Sequence, residues 1–258
     1  MLEGKVVLIT GSSSGIGLAT ARKAARAGAR VILHGESAQP LQEAARAVGG
    51  APAFAVDLQR ADCAPALIGA ALAVHGRIDV LVNNAAIFPR TDLQAADGAA
   101  FDRIFAINTR APLLLSREVV RTLQAGGHAG AIVNIGSVNA YCGQPDLLVY
   151  SMSKGALMTM TRNLADHCAP LGIRVNQLNV GWTLTETEIA TQRAQGRPDD
   201  WPSSVPRLFA PRGRILDPDE VADHVLFWAS DASAPVTGQV YDVELYPFLG
   251  RNVMSRVI

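Results

Sequence analysis

With 258 residues, of which 49% are apolar and 18% charged, the chain is long enough for one large α/β domain and too apolar for a disordered protein. Its 23 basic and 23 acidic residues balance, so the net charge indicates no nucleic-acid partner and no membrane partner. The cysteines Cys63, Cys142 and Cys168 lack metal-ligand spacing, and no cationic leader precedes the first apolar run. We therefore expect reduced, buried thiols, no metal site and a cytoplasmic protein.

Seven short runs rich in Val, Ile and Leu are predicted strands, and Ala-rich helical stretches separate them. The strands are predicted at 5–10, 30–35, 53–56, 79–85, 131–137, 174–180 and 239–245. Apolar runs without alternation are typical of parallel strands that are buried on both faces. Repeated β-α units imply right-handed crossovers, so the pattern predicts a single α/β domain over 1–258 with a doubly wound sheet.

A glycine turn, "TGSSSGIGLAT", follows the first predicted strand and contains Gly11, Gly15 and Gly17. Glycines allow the backbone to turn tightly and approach a pyrophosphate, which then faces the positive end of the next helix. A glycine turn alone is a weak signal because any tight turn favours glycine. Its position at the first strand–helix junction strengthens the interpretation, and the absence of a Gly-Lys-Ser/Thr ending argues against a triphosphate loop.

"YSMSK" places Tyr150 four residues before Lys154, one of three lysines in a chain with twenty arginines. Residues i and i+4 share one face of a helix. A nearby ammonium favours the phenolate, so the pair predicts a tyrosine that exchanges protons near neutral pH. The alternative is a surface tyrosine beside a solvated lysine.

The segment 182–216 interrupts the regular alternation of predicted strands and helices. It contains Pro198, Pro202, Pro206 and Pro211 together with Trp201 and Phe209. A connection of this length inside a compact domain is usually functional, so we predict a substrate loop or lid. A disordered insertion is the alternative, and the aromatic residues and prolines favour at least partial order.

In combination these motifs resemble the short-chain dehydrogenase/reductase family. The sequence motifs of the family occur in their usual order along nearly the whole chain: Thr10-Gly11-x-x-x-Gly15-Ile16-Gly17, Asp57, "NNA" at 83–85, Asn108, Ser137, Tyr150 with Lys154, and the late "VTGQVYDV". The resemblance implies a Rossmann-type domain with a seven-stranded parallel sheet. It also implies a nicotinamide cofactor and the oxidation of a secondary alcohol or the reduction of its ketone.

The resemblance assigns catalysis to Asn108, Ser137, Tyr150 and Lys154. Tyr150 would move the proton, and the Ser137 hydroxyl would hold the substrate oxygen. Lys154 would bind a ribose hydroxyl, and Asn108 would hold a water that links Lys154 to solvent. Without the family, Ser137 would be an ordinary cap and Asn108 an unremarkable helix residue. A catalytically idle relative that serves as a cofactor-binding sensor or scaffold is the alternative function.

By the same resemblance, the cofactor is expected to contact Gly11, Ser13, Ser14, Gly15, Ile16, Gly17, Glu36, Asp57, Leu58, Asn83, Ala85, Tyr150, Lys154, Gly181, Thr183 and Thr185. Asp57 would accept from the adenine amino group, or else serve as a helix N-cap. Glu36 lies nineteen residues after Gly17, at a position where an acid binds a ribose 2′-hydroxyl and repels a 2′-phosphate. His34 is mostly uncharged at neutral pH, so we predict NAD rather than NADP.

Ser137, Asn139, Gln144, Tyr150 and Trp182 are expected to line the substrate pocket. Amide groups suit hydroxyls, and an indole face suits the C–H side of a sugar ring, so we predict a sugar, sugar acid or polyol. A 3-oxoacyl thioester or another ketone is the alternative. Arg193 or Arg197 could bind a carboxylate, but the sequence favours the alternative that both are solvated surface arginines.

The chain departs from the family pattern at three places. Ala86 replaces a glycine near the cofactor, and Val180 stands where a proline normally precedes Gly181. The usual Asp-Gly-Gly after the last strand is replaced by "VELYPFLGR". The resemblance further implies a homotetramer that pairs the helices at about 98–124 and 150–168, and the aromatic "YPFLGR" would need covering.

Overall fold

A computed structural model describes residues 1–141, 143–207, 210 and 212–244. Its strands are β1 (Val6–Ile9), β2 (Arg30–Gly35), β3 (Ala53–Ala55), β4 (Val80–Asn83), β5 (Gly130–Ser137), β6 (Ile173–Val180) and β7 (Val240–Asp242). They form one parallel sheet in the order β3-β2-β1-β4-β5-β6-β7. The predicted seven-stranded, doubly wound sheet is confirmed.

Helices connect the strands and cover both faces of the sheet. They are α1 (Gly15–Arg26), α2 (Ala38–Ala47), α3 (Cys63–His75), α4 (Gly98–Phe105), α5 (Ala111–Ala125), α6 (Leu148–Cys168), α7 (Glu186–Ala194) and α8 (Pro218–Ala229). The π-helical turn Ala106–Arg110 joins α4 to α5, so the two form one continuous helical stretch. No helix within the described residues combines the length and apolar composition needed to cross a membrane.

The first strand shows why its apolar run does not alternate with polar residues. Val7 and Ile9 pack in one cluster with residues of α1 and α8. Val6 and Leu8 point to the opposite face and pack in a second cluster with residues of α3 and α5. Because helices cover both faces, every position of the strand is apolar and buried. Cys63 and Cys168 are buried as predicted, whereas Cys142 lies outside the described residues.

The order of the strands reverses at β1, which pairs with β2 on one side and with β4 on the other. In such sheets ligands bind beside the carboxyl ends of the strands at this reversal. The glycine loop follows β1, Glu36 follows β2, and Ser137 ends β5. The fold therefore brings segments that are far apart in sequence to one edge of the sheet.

The described part of the segment 182–216 is ordered around a small core of its own. Trp201, Val205, Ala210 and Ile215 are buried together, with Trp182 and Leu184 packed against them. Two backbone hydrogen bonds close the segment, from Leu184 N–H to Leu216 O (2.8 Å) and from Leu216 N–H to Trp182 O (2.9 Å). Phe209 and Pro211 lie outside the described residues, and the function of the segment as a lid stays a prediction.

Candidate active site

A cavity of about 770 Å³ opens at the carboxyl ends of the strands. Of the residues expected to bind a cofactor, those that line it are Gly11, Ser13, Ser14, Gly15, Ile16, Glu36, Asp57, Leu58, Ala85, Tyr150, Lys154, Gly181, Thr183 and Thr185. Ser137, Asn139, Gln144 and Trp182, which were expected to contact substrate, line the same cavity. Gly17, Asn83 and Asn108 do not belong to its lining.

The glycine loop is held tightly against the end of β4. Gly11 has φ +61°, and a Cβ there would lie 2.8 Å from the Cα of Ala85. A Cβ on Gly17 would lie 2.3 Å from the carbonyl oxygen of Gly11 and 2.6 Å from Nδ2 of Asn84. Gly17 therefore has a packing role, because it lets α1 approach the loop, and its contact with the cofactor stays a prediction.

Asn83 was expected to contact the cofactor, but its side chain points into the protein. Its Nδ2 donates to Asn134 Oδ1 (2.8 Å) and lies 3.2 Å from Ser116 Oγ. The next residue, Asn84, lines the cavity, and its Nδ2 donates to the carbonyl oxygens of Thr10 and Gly11 (both 2.9 Å). Because successive side chains at a strand alternate in direction, only one of two adjacent asparagines can reach the loop.

The neutral imidazole of His34 in β2 connects the glycine loop to Val56, which follows β3. Its Nδ1 accepts from Gly11 N–H (3.2 Å), and its Nε2 lies 2.9 Å from the carbonyl oxygen of Val56, to which it donates. Burial lowers the pKa of His34 below its usual value. The imidazole therefore supplies no positive charge at the end of β2, where Glu36 is exposed and lines the cavity.

Asp57 closes a turn and does not cap a helix. Its Oδ1 accepts from Gln59 N–H (2.8 Å), and α3 begins only at Cys63, with Asp62 at its N-cap. Of the two roles considered for Asp57, the helix N-cap is wrong. Its carboxylate lines the cavity instead.

Tyr150 and Ser137 form the polar centre of the cavity. The hydroxyl of Tyr150 is hydrogen-bonded to Ser137, whose Oγ also accepts from Asn139 N–H (3.1 Å). Burial raises the pKa of Tyr150, the negative charge of Glu188 raises it further, and the bond to Ser137 opposes both effects. In this state Tyr150 holds its proton and can donate it.

Lys154 lies one helical turn beyond Tyr150 on the same face of α6, as the spacing predicts. Its Nζ donates to the carbonyl oxygen of Ile135 (2.8 Å) and lies 5.8 Å from the centre of the Tyr150 ring. Burial lowers the pKa of Lys154 to about 8. The expectation that the ammonium holds the pKa of Tyr150 down is not met: that pKa is raised, and burial of the phenol is the largest cause.

Asn108 lies in the π-helical turn and is fully buried behind the cavity wall. Its amide accepts from Ile87 N–H (2.9 Å) and donates to Ile87 O (2.9 Å) and Ser153 Oγ (3.0 Å). Ile87 lines the cavity, and Ser153 adjoins Lys154. Asn108 thus positions this wall, and its part in a water relay stays a prediction.

Sequence reasoning did not identify Glu188 and Gln192, which line the cavity from α7. Glu188 Oε1 accepts from the indole N–H of Trp182 (2.8 Å) and from Gln192 Nε2 (2.7 Å). The field of Glu188 reaches the Tyr150 hydroxyl. The only signal in the sequence was their spacing of four residues, which is common on any helix.

The segment "VELYPFLGR", which stands in place of the family's Asp-Gly-Gly, contributes the carboxylate of Glu244 to the structure around the site. Glu244 is buried, and its Oε2 accepts from Trp182 N–H (3.2 Å). A Cβ on Gly181 would lie 1.7 Å from the same oxygen. The carboxylate therefore supports the turn that follows Val180, and residues 245–251 of the replaced ending lie outside the described residues.

The cavity fits a nicotinamide dinucleotide. Its volume is within the ~300–1,000 Å³ that is typical of ligand and cofactor sites. The amide of Gly15 at the start of α1 faces the cavity and donates to Glu186 Oε2 (3.1 Å). That carboxylate stands where the glycine loop would bind a phosphate oxygen, so this helix start accepts an anion.

Known proteins are similar to this chain over most of its length. A family model described as enoyl-(acyl carrier protein) reductase matches residues 11–244. The chain is also similar to 2-(S)-hydroxypropyl-CoM dehydrogenase 3 of Xanthobacter autotrophicus, with 37% identity over 250 residues that cover 94% of this chain and 96% of that protein.

Two solved structures are similar over nearly their full length. A 3-ketoacyl-(acyl-carrier-protein) reductase from Brucella melitensis, complexed with NADH, has a TM-score of 0.83 and 32% identity, covering 98% of this chain and all of that chain (100%). The L-sorbose reductase from Gluconobacter frateurii, complexed with NADPH and L-sorbose, has a TM-score of 0.87 and 32% identity, covering 94% and 96% of the two chains. The matched regions include the glycine loop and α6.

Proposed function

Because the chain belongs to the short-chain dehydrogenase/reductase family, we propose that it uses NAD to interconvert a small, hydroxylated secondary alcohol and its ketone. The observation that carries this proposal is the hydrogen-bonded pair of Ser137 and Tyr150 facing one cavity with Lys154. An intact proton-transferring group beside a cofactor-sized space supports an active enzyme.

The proposed chemistry divides between the cofactor and the side chains of this chain. A bound nicotinamide ring supplies the acceptor of the hydride, or its donor in the reverse direction. Tyr150 takes the proton from the carbinol hydroxyl during oxidation and returns it to the ketone oxygen during reduction. Ser137 donates to that oxygen and stabilises the charge that develops on it. Lys154 anchors the inner wall through Ile135 and presents its remaining N–H groups to the cavity.

Because Tyr150 holds its proton before cofactor is bound, the free protein is prepared for ketone reduction. The pKa of Tyr150 lies above the usual value because of burial and the Glu188 carboxylate. A protonated phenol can donate at once, which suits ketone reduction. Oxidation needs the phenolate and therefore gains from alkaline conditions.

For the cofactor we propose NAD over NADP. Glu36 lines the cavity after β2, and in its described lining no lysine or arginine comes from the glycine loop, β2 or the residues after β3. A 2′-phosphate there would meet the carboxylate with no cation to offset the repulsion. We expect kcat/KM with NAD to exceed that with NADP by at least about tenfold, and steady-state kinetics with both cofactors measure it.

A hydroxylated substrate is supported by the amide and carboxylate groups that surround the outer cavity. Asn139, Gln144, Glu188 and Gln192 provide donors and acceptors for several hydroxyls, and Trp182 provides an apolar face. A long acyl chain would find few apolar partners among these groups. Preference for apolar ketones over every polyol, sugar and hydroxy acid tested would contradict this substrate class.

The experiment that tests the function is the Tyr150→Phe substitution. Turnover, followed at the absorbance band of the reduced cofactor, should fall at least ~100-fold, the usual effect of losing a general acid or base. Cofactor affinity should change little because the ring remains. Tyr141→Phe, at an exposed tyrosine outside the cavity lining, is the control. Turnover near that of the wild type in the Tyr150 variant would refute the mechanism.

We further propose a homotetramer that uses two separate apolar surfaces. Phe101, Leu113 and Met152 are 38%, 43% and 47% exposed on the helices at 98–125 and 148–168, which the family resemblance pairs between subunits. Phe227 and Tyr241, both 41% exposed, lie on α8 and β7. Two self-complementary surfaces per subunit generate a tetramer with twofold axes. Light scattering that detects only a monomer at micromolar concentration would refute it.

A further inference from the structure

One positive charge in the cavity has no counter-charge among the residues that the structure describes. The cations that line the cavity are Arg90, Lys154 and Arg197. Arg90 pairs with Asp146 (3.1 Å), and Lys154 is bound to the backbone at the inner end. The backbone N–H of Arg197 donates to Gln192 O (3.1 Å), but its guanidinium makes no hydrogen bond or ion pair with any residue that the structure describes, although the residue is only half-exposed.

The neighbouring arginine of the same segment behaves differently. Arg193 donates to Asp199 through Nε (3.1 Å) and Nη2 (2.9 Å) and points away from the cavity. Arg214 is bound likewise to Glu220 (2.6 Å). Unpaired charge in a partly buried position is costly unless a ligand provides the counter-charge. Arg197 therefore differs from its neighbours in both place and partner.

Arg197 is held in place by two indole rings. Its guanidinium carbon lies 5.7 Å from the centre of the Trp182 ring and 5.9 Å from that of Trp201. The two rings stack at 5.1 Å, Trp201 is buried, and the indole N–H of Trp182 is fixed by Glu188. A guanidinium that rests on ring faces keeps its N–H groups at its edges, where they can bind a carboxylate with two hydrogen bonds.

The position of Arg197 separates it from the cofactor phosphates. Thr185, just before α7, touches the glycine loop, since a Cβ on Gly15 would lie 3.1 Å from its methyl group. Arg197 follows the nine residues of α7, and its guanidinium rests on Trp182, a residue that was expected to contact substrate. Arg197 thus belongs to the part of the cavity proposed for the substrate.

The charges along the cavity also orient an anionic molecule. Glu188 is the carboxylate that acts on the Tyr150 hydroxyl, so a second negative charge is repelled from the reacting end. Arg197 attracts such a charge beside the ring of Trp182. A hydroxy acid can satisfy both by placing its alcohol at Tyr150 and its carboxylate on Arg197.

We infer that Arg197 is a carboxylate receptor and that the preferred substrate is a hydroxy acid whose anionic group lies remote from the reacting carbon. This inference rests on the proposed function and specifies the substrate class of the same site. It also separates the two arginines that the sequence left equivalent, since Arg197 lines the cavity and Arg193 does not.

The test compares a hydroxy acid with its uncharged counterpart in three proteins. The probes are cis-4-hydroxycyclohexanecarboxylate and the corresponding carboxamide, which have nearly the same shape. kcat/KM is measured for each probe in the wild type, in Arg197→Gln and in the control Arg193→Gln. We expect the wild type to prefer the acid by at least about tenfold, a preference that Arg197→Gln loses and Arg193→Gln retains.

The outcomes distinguish this inference from the proposed function. Loss of the acid preference in Arg197→Gln, with an unchanged KM for the cofactor, supports the receptor. Oxidation of both probes at equal rates by the wild type, or an undiminished acid preference in Arg197→Gln, overturns the receptor and leaves the proposed function standing. If the wild type oxidises neither probe nor any polyol or sugar, the proposed function itself fails. Thermal unfolding of each variant verifies that Arg197→Gln is folded.

Discussion

Lys154→Met should make the protein more stable at neutral pH while abolishing its proposed activity. Lys154 is 3% exposed, and its ammonium is bound only to the carbonyl oxygen of Ile135 among the described residues. Burial lowers its pKa to about 8 from an ordinary value of 10.5. Methionine keeps the apolar stem and removes the charge, so the cost of burying that charge disappears.

The size of the effect follows from the pKa. At pH 7 the lysine is protonated in both the folded and the unfolded chain, and the lowered pKa of the folded state costs about 3 kcal/mol. The lost bond to Ile135 O offsets about 1–3 kcal/mol of this, because a buried acceptor is left with fewer partners. We therefore expect a net gain of about 0–2 kcal/mol in the free energy of unfolding at pH 7.

The dependence on pH is the sharper test. Between about pH 8 and 10.5 only the unfolded wild-type chain binds the proton, so the wild type gains stability as the pH rises and the methionine variant does not. The difference between the two proteins should change by about 2.5 kcal/mol from pH 7 to pH 10 in favour of the wild type. Urea unfolding followed by circular dichroism at several pH values measures it.

Lys5→Met is the matched control for the loss of a lysine. Lys5 is a partly exposed residue paired with the exposed Asp231 (2.8 Å), and its removal should change stability by less than about 1 kcal/mol. A difference between wild type and Lys154→Met that is constant from pH 7 to pH 10 would refute the buried-charge argument. A variant that is unfolded at every pH would refute it as well.

The glycine loop carries the remaining predictions. Gly17→Ala should lower the free energy of unfolding by about 1–3 kcal/mol, because its Cβ would lie 2.3 Å from the Gly11 carbonyl oxygen; an unchanged urea midpoint would contradict this packing. Glu186→Gln should tighten NADH binding about two- to fivefold, because it removes the charge that occupies the Gly15 amide at the start of α1; weaker binding in a fluorescence titration would count against it. The free energy of unfolding should fall as the pH drops below 6.5, because burial lowers the pKa of His34 and the imidazole then binds a proton more readily in the unfolded chain. In His34→Gln the free energy of unfolding from urea titrations should depend less on pH in this range.

Local patterns in the sequence were sufficient for the architecture. The strands of the sheet were predicted from short runs rich in Val, Ile and Leu, because a strand that helices cover on both sides is buried on both faces. The glycine turn and the shared face of Tyr150 and Lys154 were also predictable. These features depend on backbone conformation and on residues at most a few positions apart.

The roles of individual polar groups were decided by packing between distant segments. Asn83 and Asn84 are adjacent, but only the side chain of Asn84 reaches the loop, because the strand turns the other into the protein. Whether Lys154 lowers the pKa of Tyr150 could not be read from their spacing, since the outcome depends on how deeply both groups are buried.

The substrate end of the cavity was the least accessible to sequence reasoning. Arg193 and Arg197 belong to the same segment, 182–216, and look alike in the sequence, but Arg193 reaches Asp199 and Arg197 rests on Trp182 and Trp201. Charge and hydrogen bonding act over a few ångströms in space, and the chain brings such partners together only when it is folded. The sequence alone therefore determined the frame and the shared face of Tyr150 and Lys154, and the tertiary structure decided which charges line the cavity.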